Sequence, residues 1–418
     1  MIATDTFTLG DRPPSRSVEP TDAAGVAAAL HAADGAGEAV VAFGGATLQS
    51  IGNAPNRYDV AISLRGLNRM IAYDPRDMTF GAEAGATIAS VAQVLGDAGQ
   101  FVPFDVPHPH VATIGGTLAT GWNGPRRTTY GRLRDLLIGS TVALTDGTLA
   151  TAGGMVVKNV TGYDMGKLYV GSLGTLALLT RANFKALPRA AHARLALAPL
   201  PDDARERVAH AIAELEIAPT AALMVNGFFG ATPRVRDEAA RLLVLFEGSE
   251  SVIERATRDI RSALGAAGVP ITTLIDGNAA ERAFQSVIDA YVENVSDRSV
   301  TFRSTGHVST VLPRAYDIAK RTSERSLGCD WIADLCTGDA VVRLVGRSHD
   351  AIAQTIRDIA TDVRAIAPSA TLLAGDPTLR ARIDAWGTPP TTLATMRALK
   401  RRFDPTATLA PGRYVGGL

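Results

Sequence analysis

The sequence predicts an α+β protein built as two domains with a returning tail. Two observations carry that prediction. Roughly the first 190 residues are strand-rich and dense in glycine, with few helical periodicities. Beyond them the texture changes, and the pattern strand–helix–strand–strand–helix–strand runs through twice, the order of a repeated ferredoxin-like unit. A length of 418 residues agrees, at about 150 residues per domain.

Pro20-Thr21-Asp22 is a helix start ahead of an Ala-rich segment ending near Asp34. Residues 38–43, with AVVAF, read as a buried strand entering Gly44-Gly45. Short strands VAISL, RMIAY and MTFGAEAG follow, and Thr87 caps a second helix, ASVAQVLGDAG. No further helix is expected before residue 200. The first repeat places strands near 193–198, 221–226, 241–246 and 270–275, with helices near 202–216 and 250–266. The second places strands near 299–305, 329–336, 340–345 and 370–374, with helices near 313–326 and 349–366. In the last helix Ile352, Ile356, Ile359, Val363 and Ile366 step by four and three along one face. Thr337-Gly338-Asp339 turns a hairpin. Side by side, the two repeats would form one antiparallel sheet with helices on one face, linked by residues 276–298. In the tail Leu393, Met396 and Leu399 mark a helix that Phe403-Asp404-Pro405 ends, before an extended Ala410-Pro411-Gly412-Arg413.

Composition removes several function classes. Hydrophobic residues make up 46% and charged ones 20%, which excludes a disordered chain. Lys plus Arg equals Asp plus Glu at 42 each, so no basic balance argues for nucleic acid. Arg126, Arg127, Arg132 and Arg134 form only a local patch, equally readable as a solvated rim. No apolar run approaches the roughly 18 residues that span a bilayer, and MIATDTFTLGDRPPSR lacks the basic start and apolar core of a signal peptide. Cys329 and Cys336 are the only cysteines, which suits a reducing, cytoplasmic compartment and small core roles. Two cysteines cannot supply the four ligands of an iron–sulfur cluster, so any such cluster belongs to a partner.

Three segments concentrate glycine among apolar and small hydroxyl residues: 43–53 (FGGATLQSIGN), 112–124 (ATIGGTLATGWNG) and 156–188, which opens VVKNVTGYDMGKLYVGSLGTL. Glycine amides can lie flat against a pyrophosphate because no Cβ holds the ligand off. The Rossmann fingerprint must follow a strand and open a helix; Gly35-Ala36-Gly37 precedes a strand and lacks the third glycine. No Walker A sequence is present. On the residues alone, two readings stay open: loops that wrap one long dinucleotide, or ordinary tight turns.

The three segments resemble the FAD-binding domain of the vanillyl-alcohol oxidase and p-cresol methylhydroxylase family. Residues 41–47 match its strand and Gly-Gly-x-Thr loop, residues 112–119 its Ala-Thr-Ile-Gly-Gly-x-x-Ala, and residues 162–176 its Gly-Tyr-Asp-x-x-x-Leu-x-x-Gly-Ser-x-Gly-Thr-Leu. With Trp386-Gly387 and MRALKRRFDPTATLAPG, the chain is most similar to E-type, FAD-binding subunits of bacterial glycolate oxidases. Ala410 stands where that family usually has Asn. The resemblance implies a two-subdomain FAD-binding domain over 1–190, a cap for substrate or partner over 191–380 and a tail over 381–418 that returns to the first domain.

It also implies FAD, held by Phe43, Gly44, Gly45, Ala46, Thr47 and Leu48; by Pro107, Thr113, Ile114, Gly115, Gly116, Thr117, Ala119, Thr120, Gly121, Asn123, Gly124, Arg126 and Tyr130; and by Asn159, Gly162, Gly171, Gly174, Thr175 and Leu178. Covalent members carry a His in the first loop or a Cys in the second segment. Ala46 and the absence of either type imply non-covalent FAD. The metal motif of D-type relatives is missing, His307 and His349 are isolated, and no metal is expected.

Oxidising a 2-hydroxy acid needs a cation for the carboxylate, a base for the hydroxyl proton and a flavin for the hydride. Arg413 in the returning tail is the candidate cation, with Arg303 and Arg343 on cap strands as others. Tyr163 and Lys158, at the head of the third segment, are further catalytic candidates, and His108 and His110 precede the second. The resemblance implies a glycolate oxidase-like complex that oxidises glycolate or a related small 2-hydroxy acid, with a D-type flavoprotein subunit and an iron–sulfur subunit as partners. The expected location is cytoplasmic, with any membrane association made through partners. The alternative is a flavin-binding electron-transfer or scaffold subunit with no substrate chemistry of its own.

Overall fold

The computed structural model describes residues 7–156, 162–227, 240–293 and 298–418. Its first helix begins where Pro20-Thr21-Asp22 places it. The Asp22 carboxylate accepts from the Gly25 amide at 2.7 Å, satisfying an end amide, and the helix Ala23–Gly35 follows. Val26 and Leu30 on this helix are fully buried with Val60, Ile62, Ala143, Leu178 and Leu409 in one core. The helix therefore shares that core with two sheets. One is parallel, in the order Arg16–Val18, Val60–Ser63, Val40–Phe43. The other is antiparallel, in the order Met70–Asp74, Thr79–Glu83, Leu178–Lys185, Leu137–Ala143, Leu149–Gly153. A smaller core of Phe7, Phe43, Tyr58 and Ala410 closes the strand that feeds the first glycine segment. Thr87 caps the helix Ile88–Gly96, as its sequence indicates.

These elements belong to a unit made of Met1–Asn123, Gly131–Arg189 and Asp384–Leu418. A second unit holds Ala190–Ile383 and, with it, the short piece Gly124–Tyr130. The reason for that grouping is ionic. Arg127 donates to both carboxylate oxygens of Asp339, at 2.8 and 3.0 Å, and Arg303 reaches the same group at 2.6 Å. Glu247 accepts from the Tyr130 hydroxyl at 2.9 Å and pairs with Arg126 at 3.4 Å, while the Arg126 guanidinium lies over the Phe284 ring. Burial pushes the Asp339 carboxyl up, but Arg303 and Arg127 outweigh it and hold it below the usual carboxylate range.

The second unit is built on one eight-stranded, wholly antiparallel sheet. Its order is Thr273–Asp276, His192–Leu200, Ala240–Gly248, Ala221–Asn226, Gly328–Asp334, Ala340–Val345, Ser299–Ser304, Thr371–Gly375. The helices Glu250–Ala266, Val311–Glu324 and His349–Ile366 fall close to their expected places, and Ile352, Ile356, Ile359 and Val363 are buried. The linker 276–298 is different: residues Gly277–Asp289 form a helix that buries Ala280, Phe284, Val287 and Ile288. Gly277 takes φ +56° directly after the extended Asp276 cap, so the helix starts on the glycine.

Arg343 is completely buried and donates to the Ala290 carbonyl at 2.5 Å, which ties its strand to the end of the helix Gly277–Asp289. Cys329 and Cys336 are free and half-buried, and burial pushes both thiols up to about 12. Among the described residues no helix is long and apolar enough to cross a membrane.

Asp334 ends the strand before the hairpin turn and accepts from the amides of Cys336 and Thr337 at 2.9 and 3.1 Å. Burial pushes its carboxyl up to about 6. The folded chain then holds this proton more tightly than the unfolded chain, so its contribution to stability is lost as pH rises from about 4 through 6. Asn would keep an acceptor for both amides without the charge. Between about pH 4 and pH 8 the stability difference should move in favour of Asp334→Asn, by up to roughly 3 kcal/mol. Denaturant unfolding of both proteins at the two pH values measures it, and parallel pH profiles would contradict it.

Candidate cofactor cleft

The three glycine-rich segments meet, and they meet backbone to backbone. A Cβ on Gly45 would stand 1.8 Å from the Val111 carbonyl oxygen, and one on Gly44 would stand 2.1 Å from Thr113 Oγ1. The first segment therefore lies against the second with no room for a side chain. The second is not the loop its composition suggests. Residues Ile114–Thr120 form a helix, capped by Thr113 Oγ1 accepting from the Gly116 amide at 3.2 Å. Two glycines and two threonines give it poor intrinsic propensity, but the Ala84 carbonyl takes the Gly115 amide at 2.7 Å, and Ala84 Cβ sits 2.8 Å from where a Gly115 Cβ would be. The helix ends at Gly121 in the left-handed region, φ +62°, where a Cβ would lie 3.0 Å from Gly171 Cα. The third segment docks through Gly171 N to the Leu118 carbonyl at 2.9 Å and Leu173 N to the Ala119 carbonyl at 2.8 Å. Leu173 takes φ +54° to do so.

Between the segments lies a cleft. Phe43, Gly44, Leu48 and Gln49 line it from the first; Thr113, Gly115, Gly116, Ala119 and Thr120 from the second; Ser172, Leu173, Gly174 and Leu178 from the third. Arg413 completes the wall. Its guanidinium is buried and donates from Nη2 to the carbonyls of Gln49 and Ile51 at 3.0 and 2.8 Å. Its own carbonyl accepts from Asn53 N and Trp386 Nε1 at 3.0 and 2.9 Å.

The remaining candidate residues sort themselves. Gly45, Ile114, Thr117, Gly121, Gly171 and Thr175 do not line the cleft; Gly45 and Gly121 are contacts between segments, and the Thr117 and Thr175 hydroxyls brace their own segments by donating to the carbonyls of Thr113 and Ser172. Ala46, at φ +60°, is exposed beside Thr47. Pro107 is buried, and His108 takes φ +53° in the turn before His110. Asn123 ties Gly121 to Leu133 through its side-chain amide. Gly124, Arg126 and Tyr130 group with the second unit. Gly162 and Tyr163 are exposed, Tyr163 at 92%, and neither lines the cleft. Lys158 and Asn159 lie outside the described residues. Sequence reading missed Gln49, Ser172 and Leu173, which sit inside the quoted segments, and Leu64 and Ala84, which reach the cleft from strand ends with no local signal. Among the described residues no cluster of His, Cys, Asp or Glu could hold a metal ion.

Residues 14–153 match the model of the FAD binding domain family. This part of the chain is an FAD-binding domain, and FAD is its cofactor. The chain is 40% identical to glycolate oxidase subunit GlcE of Escherichia coli (strain K12) over 29% of its own length and 35% of that protein's. It is 30% identical to D-lactate dehydrogenase of Archaeoglobus fulgidus over 61% of its own length and 59% of that protein's. It thus spans less than two thirds of the length of these relatives. A solved structure of alkyldihydroxyacetonephosphate synthase matches with a TM-score of 0.68 at 15% identity, over 95% of this chain and 76% of that one, which establishes a shared fold.

The cleft suits the cofactor at one glycine in particular. A Cβ on Gly116 would meet only its own cap oxygen, Thr113 Oγ1 at 3.2 Å, and otherwise open space. Gly116 therefore faces open space where Gly45 meets the protein, and we propose that the cofactor fills that space. Gly116→Val should fold with a near-native melting temperature and retain little FAD. Gly45→Ala should lose about 1–3 kcal/mol of stability, or fail to fold, through the clash with Val111. Melting of the apoproteins and flavin content per chain separate the two; full FAD occupancy in Gly116→Val would refute the assignment.

Proposed function

We propose that this chain is an FAD-dependent oxidoreductase subunit of a glycolate oxidase-like complex, oxidising glycolate or a related 2-hydroxy acid. The cleft framed by all three glycine segments carries the reading, and the similarity to a glycolate oxidase subunit and a D-lactate dehydrogenase supports it. On this reading residues 1–190 form the FAD-binding domain, of the vanillyl-alcohol oxidase type. Residues 191–380 form a cap of two ferredoxin-like repeats, and residues 381–418 return to the first domain. Electrons leave to a separate iron–sulfur subunit beside a D-type flavoprotein subunit, and the complex works in the cytoplasm.

Bound FAD supplies a hydride acceptor. The protein must supply the rest. Arg413 is assigned to the substrate carboxylate, because two backbone carbonyls fix its guanidinium at the cleft wall. An uncompensated carboxylate in so apolar a cleft would cost several kcal/mol. Tyr163 and Lys158 are assigned to substrate or flavin contact in the same reaction.

A second reading has observations in its favour. The same two bonds make Arg413 a clasp for the tail, and Tyr163 is exposed at 92%. Both fit a flavin-binding electron-transfer or scaffold subunit whose substrate chemistry resides in the partner flavoprotein.

Two measurements test these readings. Ala46 and the absence of Cys from the second segment predict that acid precipitation releases all yellow colour into the supernatant, whereas colour on the pellet would establish a covalent link. In rapid mixing with glycolate, wild type should bleach anaerobically, and Arg413→Ala at matched FAD content should do so at least about 100-fold more slowly. Equal rates remove Arg413 from the site. No bleaching of wild type selects the electron-transfer reading.

A further inference from the structure

The helix Leu393–Phe403 presents an anomaly: its one buried residue is a lysine. Leu393, Met396 and Leu399, the apolar stripe that marks the helix in sequence, are only partly covered, while Lys400 is 7% exposed. A lysine is seldom buried unless each of its three donors is engaged. Here Nζ donates to the Thr175 carbonyl at 2.8 Å, to Asp404 Oδ2 at 2.5 Å and to the Leu409 carbonyl at 2.7 Å. Asp404, with its side chain fully buried, accepts in turn from the amides of Thr408 and Leu409 at 2.9 and 2.8 Å.

What these partners belong to gives the lysine its role. Leu409 bridges in parallel to Val40, whose amide donates to the Thr408 carbonyl at 2.7 Å and whose carbonyl takes the Ala410 amide at 2.8 Å. Val40 opens the strand that delivers Phe43 and Gly44 to the cleft. Thr175 directly follows Gly174 and closes the turn whose Ser172, Leu173 and Gly174 line the same cleft. One ammonium thus connects the base of the first segment, by way of the tail, to the turn of the third. None of the three residues it bonds lines the cleft itself.

We propose that Lys400 is a positioning residue for FAD: it sets the separation of the first and third glycine segments and so the width of the cofactor cleft. The inference rests on the assignment of this cleft to FAD. A methionine of similar length would remove all three donors and leave two carbonyls and the Asp404 carboxylate buried without them. The Thr175 turn would then drift from the tail. An arginine would keep the charge, but its wider head would displace the Thr175 carbonyl.

The test compares FAD dissociation constants, by flavin fluorescence quenching well below each melting temperature, for wild type, Lys400→Met, Lys400→Arg and Asp34→Asn. The last is a control. Asp34 accepts from the Thr406 and Thr408 hydroxyls, so its loss loosens the same stretch of tail while leaving the bond from Lys400 to the Thr175 carbonyl in place. Asp34→Asn should lower the melting temperature and leave FAD affinity unchanged. Lys400→Met should weaken FAD about tenfold or more and alter the visible spectrum of the flavin that remains bound. If Lys400→Met does not fold, Lys400→Arg decides: weaker FAD binding at a retained melting temperature supports the role, and wild-type affinity overturns it. Equal weakening in Lys400→Met and Asp34→Asn for equal loss of melting temperature would also overturn it, leaving Lys400 a structural clasp. Wild type that binds no FAD would instead defeat the cleft assignment.

Discussion

The site depends on one steric constraint: the first and second glycine segments approach closer than any side chain allows. With 1.8 Å between a Gly45 Cβ position and the Val111 oxygen, the backbone is the packing surface. Gly44 against Thr113, Gly115 against Ala84 and Gly121 against Gly171 repeat that arrangement around the cleft. Such contacts bury little apolar area per residue, so they cannot hold themselves together. Their stability is borrowed from the core around Val26 and Leu30 and from buried polar ties, chiefly Arg413 on Gln49 and Ile51 and Lys400 on Thr175.

Glycine therefore serves two purposes within one motif. At Gly44, Gly45 and Gly115 it permits the protein to touch itself. At Gly116, and at Gly174 with φ +71° and only Leu178 within reach at 3.7 Å, it leaves space open toward the cleft. Composition cannot separate these purposes, because both demand the absence of a Cβ. That is why Gly44, Gly45, Gly115, Gly116, Gly121, Gly171 and Gly174 alike read as cofactor contacts, and why only part of them lines the cleft.

Much of the architecture was legible because it obeys local rules. Asp22 and Thr87 are side-chain caps, and the Ile352–Val363 stripe has helical period. The failures share a cause in tertiary support. Residues Ile114–Thr120 are helical against their propensity because Ala84 and the third segment receive them, and Gly277–Asp289 is helical although it opens on glycine. Arg126 and Tyr130 sit in a run that reads as part of the second glycine segment, yet their partner Glu247 is more than a hundred residues away. No local pattern announces a buried ion pair of that separation.

Both units are discontinuous in the chain, and this has a consequence for how the protein is made. The first glycine segment needs Arg413 and Trp386, and Gly124–Tyr130 needs Glu247 and Asp339, so neither unit's contacts are complete when its own first strands emerge. At about 5–20 residues per second, synthesis separates residue 53 from residue 384 by tens of seconds. During that interval the strand Val40–Phe43 has its neighbour Val60–Ser63 but not the tail that covers its other side. The nascent chain thus carries an uncovered, apolar strand edge until residues 408–410 have been made, a state in which chaperone capture competes with pairing to a neighbouring chain.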